Sequence, residues 1–250
     1  MRMQLPDFRL RPASLSGRTI LVTGATGGLG RALSMSCALA GATVILSGRN
    51  LAKLEKVYDE IEERGAPQPA IAPLDLASAA APDYDGLAEL IQREFGTLDG
   101  LVHAAALLGE RTPLEMYDIP TWCRVLHVNL TAPLILTQVL LPQLRRSSAA
   151  SVLLVSSGVA HDPGPYWGAY AVSKAGLESV RALLSQELAE VSGVRVNSVS
   201  PGRLRTPMRA AAYPAEDPNT LPLPDTVTDA FVYLLSEESR AIAGQCVTLT

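Results

Sequence analysis

The sequence predicts an α/β fold: a single doubly wound parallel sheet of about seven strands with helices on both faces. Three observations carry the prediction. Short apolar runs alternate with longer helical patterns from Gly17 almost to the end, the runs are apolar throughout, and a glycine cluster follows the first of them. Strands buried on both faces belong to parallel sheets whose crossover helices cover them. Right-handed crossovers then give the Rossmann arrangement, with ligands at the strand C-termini.

Strands are expected at Thr19–Thr23, Thr43–Ser47, Ala70–Leu74, Gly100–Ala105, Ser151–Ser156 and Arg195–Ser200, with Gln245–Leu249 as the last. Helices are expected at Leu29–Ala40, Leu51–Arg64, Tyr84–Glu94, Pro120–Arg145, Ala171–Val191 and Thr226–Ser236. No repeat or linker divides the chain, so residues 1–16 read as an N-terminal extension and 17–250 as one domain. Two irregular segments, Gly158–Tyr166 and Pro201–Pro224 with its six prolines, follow strands at the end where the site of such a fold lies.

Composition narrows the function. A chain of 250 residues, 48% hydrophobic, buries a core without disulfides or metals. A net charge of −4 and no basic run longer than Arg145-Arg146 give no field for nucleic acid or an anionic membrane. Cys37, Cys123 and Cys246 fit neither a disulfide framework nor zinc-ligand spacing, and His103, His127 and His161 are too scattered to suggest a metal. The first 16 residues, with Arg2, Arg9, Arg11, Pro6 and Pro12, lack the apolar core of a signal peptide. No stretch approaches the ~20 apolar residues of a membrane helix. A cytoplasmic protein is expected.

Thr23-Gly24-Ala25-Thr26-Gly27-Gly28-Leu29-Gly30 lies between the first strand and the first helix. Glycines there allow a tight turn and bring backbone N–H groups to a pyrophosphate at a helix N-terminus. The second strand ends at Ser47-Gly48-Arg49-Asn50, without the acidic residue that holds the ribose of NAD. Arg49 is instead placed to fork onto a 2′-phosphate, although a solvated Arg would read the same. Asp75, in Leu74-Asp75-Leu76, suits an adenine edge or a helix cap.

Tyr170-Ala171-Val172-Ser173-Lys174 puts a phenol and an ammonium on one helical face. A free phenol, with pKa near ~10, is a poor acid–base group at neutral pH. A neighbouring ammonium, helped by an oxidised nicotinamide, is expected to lower it. Lysine occurs only at Lys53, Lys56 and Lys174 against eighteen arginines, which suggests a position that needs a compact ammonium. Ser157 ends a strand thirteen residues before Tyr170 and is placed to hydrogen-bond the substrate oxygen that the phenol would protonate or deprotonate. Asn129 lies inside a helix, where Asn is mildly unfavourable; a helix opened there would hold a water near Lys174.

On these residues the chain resembles the short-chain dehydrogenase/reductase family over nearly its whole length. The resemblance rests on the Thr-Gly-x₃-Gly-x-Gly loop, Asp75-Leu76, Asn129, Ser157, Tyr170-x₃-Lys174 and Pro201-Gly202-x₃-Thr206, in family order. More loosely, Gly164–Tyr170 and Tyr213–Pro218 look like the bacterial YciK-type subgroup. The resemblance implies catalytic roles for Asn129, Ser157, Tyr170 and Lys174. It implies NADP(H) held by Gly24, Thr26, Gly28, Leu29, Gly30, Arg49, Asp75, Leu76, Ala104, Ala105, Tyr170, Lys174, Pro201, Gly202, Leu204 and Thr206. The Leu204 backbone and Thr206 hydroxyl would hold the nicotinamide carboxamide. The substrate implied is a small carbonyl compound or alcohol, and the assembly a homodimer or homotetramer paired through Thr131–Arg145 and the helix after Tyr170.

One departure stands out. The family's Asn-Ala-Gly at the fourth strand's end is Ala104-Ala105-Ala106 here. The lost Asn removes hydrogen bonds that steady the sheet, and Ala106 would be strained if its φ is positive. This departure is the footing for a competing reading, a non-catalytic NADP-binding scaffold on a degenerate fold. A lyase or epimerase is the third.

Overall fold

The computed structural model describes residues 2–8, 10–11 and 13–249. Arg9, Pro12 and Thr250, which the sequence reading touches, lie outside the described residues. The strands are β1 (Arg2–Met3), β2 (Thr19–Thr23), β3 (Thr43–Gly48), β4 (Ala70–Pro73), β5 (Gly100–His103), β6 (Ser151–Val155), β7 (Arg195–Ser200) and β8 (Cys246–Thr248). The helices are α1 (Gly28–Leu39), α2 (Leu51–Glu63), α3 (Ala81–Glu94), α4 (Ile119–Leu126), α5 (Ala132–Leu144), α6 (Gly168–Ala189), α7 (Pro207–Ala212) and α8 (Thr228–Leu235).

All strand pairs are parallel, in the order β1-β8-β7-β6-β5-β2-β3-β4. The chain works outward from β2 to β4, then returns to lie beside β2 as β5 and works outward the other way. The reversal falls between β2 and β5, where a crevice opens at the strand C-termini. Register keeps those ends level: Thr23 pairs with Ser47 on one side and with His103 on the other.

Alternate strand residues feed two cores, as the period of 2 dictates. Leu21, Ile45, Leu101, Val152 and Val196 pack beneath α3, α5 and α6. Ile20, Val22, Val44, Val102 and Val199 pack beneath α1, α2 and α8. Burying a side chain such as Leu or Ile contributes about 1.5–3 kcal/mol, so both faces hold the sheet against its helices.

Four expectations change. The sheet has an eighth strand, because Arg2–Met3 pairs with Cys246–Val247 at its edge. Leu5, Leu10 and Leu15 pack on the core and Phe8 stacks on Tyr233 with ring centroids 4.6 Å apart, so this segment covers part of the molecule. Two strand residues are too few to leave a sequence pattern. The single helix expected at Pro120–Arg145 contains a π-helical turn at His127–Thr131. Its continuous span, Ile119–Leu144, is long and apolar enough by composition to cross a membrane, contrary to the expectation above. Here Ala132, Leu136, Leu140 and Leu144 are core residues. Lastly, the proline-rich segment hides α7, which Pro207 begins; a missing N–H costs nothing in a first helical turn.

Candidate active site

A cleft of about 410 Å³ runs along the C-terminal ends of β2 to β7. At one end lies the β2–α1 loop. Gly24 has φ +67°, and a Cβ there would come within 2.8 Å of the Ala105 backbone. A Cβ on Gly30 would strike the Gly24 carbonyl. Glycine at both positions lets the loop fold tightly between β2 and β5. Gly27, the N-cap of α1, brings no side chain to cap it, so first-turn N–H groups at Gly28, Leu29 and Gly30 face the cleft wall. That donor set and the positive helix end fit the pyrophosphate of a dinucleotide.

Arg49, exposed at the end of β3, makes no ion pair among the described residues. No carboxylate lies between Ser47 and Asn50, and Asn50 is occupied in capping α2, accepting from the Lys53 N–H at 3.0 Å. Asp75 Oδ1 accepts from the Ala77 N–H at 3.1 Å, so it caps the local turn while lining the cleft.

The other end is built from buried side chains. Lys174, 2% exposed, donates from Nζ to the Val155 carbonyl at 2.7 Å, which fixes the ammonium at the end of β6. Burial lowers its pKa to about 8, and the Glu178 carboxylate partly opposes this. Tyr170 lies one turn earlier on α6, with Lys174 Nζ 5.7 Å from its ring centroid. Burial pushes the phenol above its ordinary value, and the Ser157 hydroxyl only partly offsets the rise. The sequence reading expected the ammonium to lower this phenol. Among the protein's own groups desolvation is the largest influence, because α6 seats Tyr170 in the wall of the cleft.

Asn129 occupies the π-helical turn and is 1% exposed. Its Oδ1 accepts from the Leu107 N–H at 2.7 Å, while Nδ2 donates to the Leu107 carbonyl at 2.8 Å and to Ser173 Oγ at 3.1 Å. The side chain thus clamps the segment after β5 to the helix carrying Tyr170 and Lys174. It does not line the cleft; the other proposed catalytic residues and all the proposed cofactor residues do.

Ala106 does not have a positive φ, so the feared strain is absent. Thr23 Oγ1 stands where steadying is needed: it donates to the Val102 carbonyl at 3.4 Å and accepts from the Ala105 N–H at 3.3 Å. Beneath, His103 Nε2 lies 2.9 Å from Thr137 Oγ1, and that hydroxyl donates to the Pro133 carbonyl. Burial, with the Lys174 charge, lowers His103 to about 3, so it is a neutral core histidine. Thr206 Oγ1 accepts from the Arg209 N–H at 3.2 Å as the N-cap of α7, leaving its own proton to donate.

Of the residues in and beside the two irregular segments, Trp167, Arg203 and Met208 line the cleft, whereas His161, Tyr166 and Arg205 do not. Sequence reasoning missed a clasp at the mouth. The Arg111 guanidinium lies 4.2 Å from the Trp167 ring centroid and 5.1 Å from that of Tyr213. Arg209 stacks on Tyr213 at 3.7 Å and pairs with Glu216 through two hydrogen bonds of 2.5 and 2.6 Å. This ladder joins the segment after β5, the start of α6 and the end of α7. Arg111, Trp167 and the Arg209–Tyr213–Glu216 group are far apart in the chain, and no spacing rule connects the three.

Residues 18–217 match the family model described as short chain dehydrogenase. The chain is 40% identical over 230 residues to YciK, an uncharacterized oxidoreductase of Escherichia coli K12, covering 92% of this chain and 90% of that one. Its fold matches a structure described as a short chain dehydrogenase from Pseudomonas syringae with a TM-score of 0.95 at 44% identity, covering 98% and 99% of the two chains. A second, from Escherichia coli CFT073 and complexed with NADPH, matches with a TM-score of 0.93 at 40% identity, covering 96% and 99%.

Proposed function

The chain belongs to the short-chain dehydrogenase family of oxidoreductases, and from that premise we propose that it is an NADPH-dependent reductase of small carbonyl compounds, or a dehydrogenase of the matching alcohols. One observation carries the reading. The phenol of Tyr170, the ammonium of Lys174 and the hydroxyl of Ser157 meet in the wall of the same cleft that holds the glycine loop and Arg49. The relative complexed with NADPH supports the choice of cofactor.

When bound, the nicotinamide supplies or accepts the hydride. Tyr170 holds its proton in the resting site, because burial raises its pKa, and delivers it to the carbonyl oxygen during reduction. Ser157 hydrogen-bonds that oxygen. Lys174, anchored by Val155, keeps a positive charge beside the phenol and would hold the nicotinamide ribose. Asn129 positions the segment opposite. Arg49 would pair with the 2′-phosphate, and the N-terminus of α1 would hold the pyrophosphate. Trp167, Met208 and Ala212 close the apolar side of the substrate space.

A homo-oligomer formed through α5 and α6 is part of the proposal, supported by the exposed Val172 and Leu183 on α6. A cytoplasmic setting suits the three free thiols. The test is a panel of aldehydes, ketones and secondary alcohols followed by nicotinamide absorbance with each cofactor. Turnover with NADPH on at least one carbonyl substrate is expected. Silence across the panel, with NADPH bound, would favour the scaffold reading.

A further inference from the structure

Away from the cleft, three side chains with metal-ligand chemistry converge from three elements. His161 lies in the segment after β6, Glu178 on α6 and Cys246 at the start of β8; none lines the cleft. His161 Nε2 is 3.3 Å from Cys246 Sγ, and Glu178 Oε1 is 3.6 Å from the same sulfur. All three candidate ligand atoms lie within 4.8 Å of one another. Bonds of about 2.3 Å to sulfur and about 2.0–2.2 Å to nitrogen and oxygen, at tetrahedral angles, place ligand atoms roughly 3.4–3.6 Å apart. The two sulfur edges, at 3.3 and 3.6 Å, lie close to that length.

The surroundings favour ligation. Glu178 Oε2 accepts from Ser198 Oγ at 2.9 Å and from Arg181 Nε at 3.0 Å. This occupies one carboxylate oxygen and turns the other towards the sulfur. Arg181 is itself held by the Gly244 carbonyl, just before β8. Such outer partners orient metal ligands. Cys246 and Glu178 are buried, whereas His161 is exposed, so an ion has an entry path and a fourth position open to water.

We propose that His161, Glu178 and Cys246 bind one zinc-class divalent cation. The Cys246 thiol gives up its proton to solvent as the metal–sulfur bond forms, and no electron is transferred. The bound ion ties the segment that follows Ser157 to α6 and β8. Sequence spacing gave no hint of it, because each ligand comes from a different element.

Titrating Co²⁺ into tag-free, chelator-stripped protein tests this. The wild type should bind one equivalent, with tetrahedral visible bands and a near-ultraviolet sulfur-to-cobalt band, and Zn²⁺ should displace it. Cys246→Ser should abolish the near-ultraviolet band. His161→Ala, at an exposed position that leaves packing intact, should weaken Co²⁺ by at least about tenfold. Absence of the bands in the wild type would overturn the proposal, as would their survival in Cys246→Ser, which would point to the exposed Cys123. If Cys246→Ser does not fold, His161→Ala decides: unchanged Co²⁺ affinity overturns the site.

Discussion

The two ends of the cleft are made of different materials. The end at β2 and β3 is backbone: glycines, free first-turn N–H groups and one solvent-facing guanidinium, Arg49. The end at β6 and α6 is buried side chain, with Lys174 2% and Tyr170 9% exposed. A pyrophosphate keeps its charge throughout, so fixed dipoles hold it without titrating. A proton donor must have a tunable pKa, and tuning requires burial beside charges and hydrogen-bond partners. The first end therefore responds to geometry and salt, the second to pH.

Arg49→Ala probes the nucleotide end with the larger effect. A charge-assisted contact contributes roughly 1.5–3 kcal/mol, or about one to two decades in Kd. NADPH affinity should fall by that factor with NADH nearly unchanged, read by fluorescence titration. A Cβ at Gly48 would meet only Leu54 at 3.6 Å and Thr26 Oγ1 at 3.9 Å, so adding Gly48→Asp fits and should turn the preference towards NADH. Equal affinity of the wild type for both cofactors would reduce Arg49 to a solvated side chain.

At the other end, pH is the probe. Lys174 has a pKa of about 8, so it loses its charge as pH rises through that value. Steady-state kcat/KM for reduction should be level below about pH 8 and fall by about tenfold per pH unit above it. A profile flat to pH 10 would separate the ammonium from the chemistry. A smaller effect is expected at the clasp. Arg111→Ala removes stacking on Trp167 and Tyr213, a loss of about 1 kcal/mol, and should raise KM by about fivefold with little change in kcat.

The smallest expected effect reverses a view taken from sequence. Ala106 is not in a left-handed conformation, so Ala106→Gly relieves no strain and only frees the unfolded chain. Thermal unfolding should show a loss of about 0.5 kcal/mol. A gain would mean that the alanine is strained in some other way.

What could be read beforehand followed physical cause. Most of the sheet was legible because strands buried on both faces stay apolar along their length, and the glycine loop and Tyr170–Lys174 because a tight turn and an i, i+4 pair are local patterns. The edge strand at Arg2–Met3 was not, since two residues carry no period. The π turn at Asn129 was signalled only by an Asn inside a helix, and its two hydrogen bonds to Leu107 depend on tertiary packing. The Arg111 clasp and the His161, Glu178 and Cys246 cluster exist only after distant segments meet. Spacing revealed the ammonium near Tyr170 but not the depth of burial, which among the protein's own groups raises the phenol.

The most direct test compares Tyr170→Phe with the wild type on one carbonyl substrate, measuring turnover and NADPH affinity on the same preparation. Removing the phenol's proton while keeping its ring should lower kcat by about 10²–10⁴-fold. NADPH Kd should stay within about twofold, since the nucleotide end is untouched and Lys174 keeps its anchor on Val155. Near wild-type kcat in Tyr170→Phe would contradict the account and take this phenol out of the mechanism.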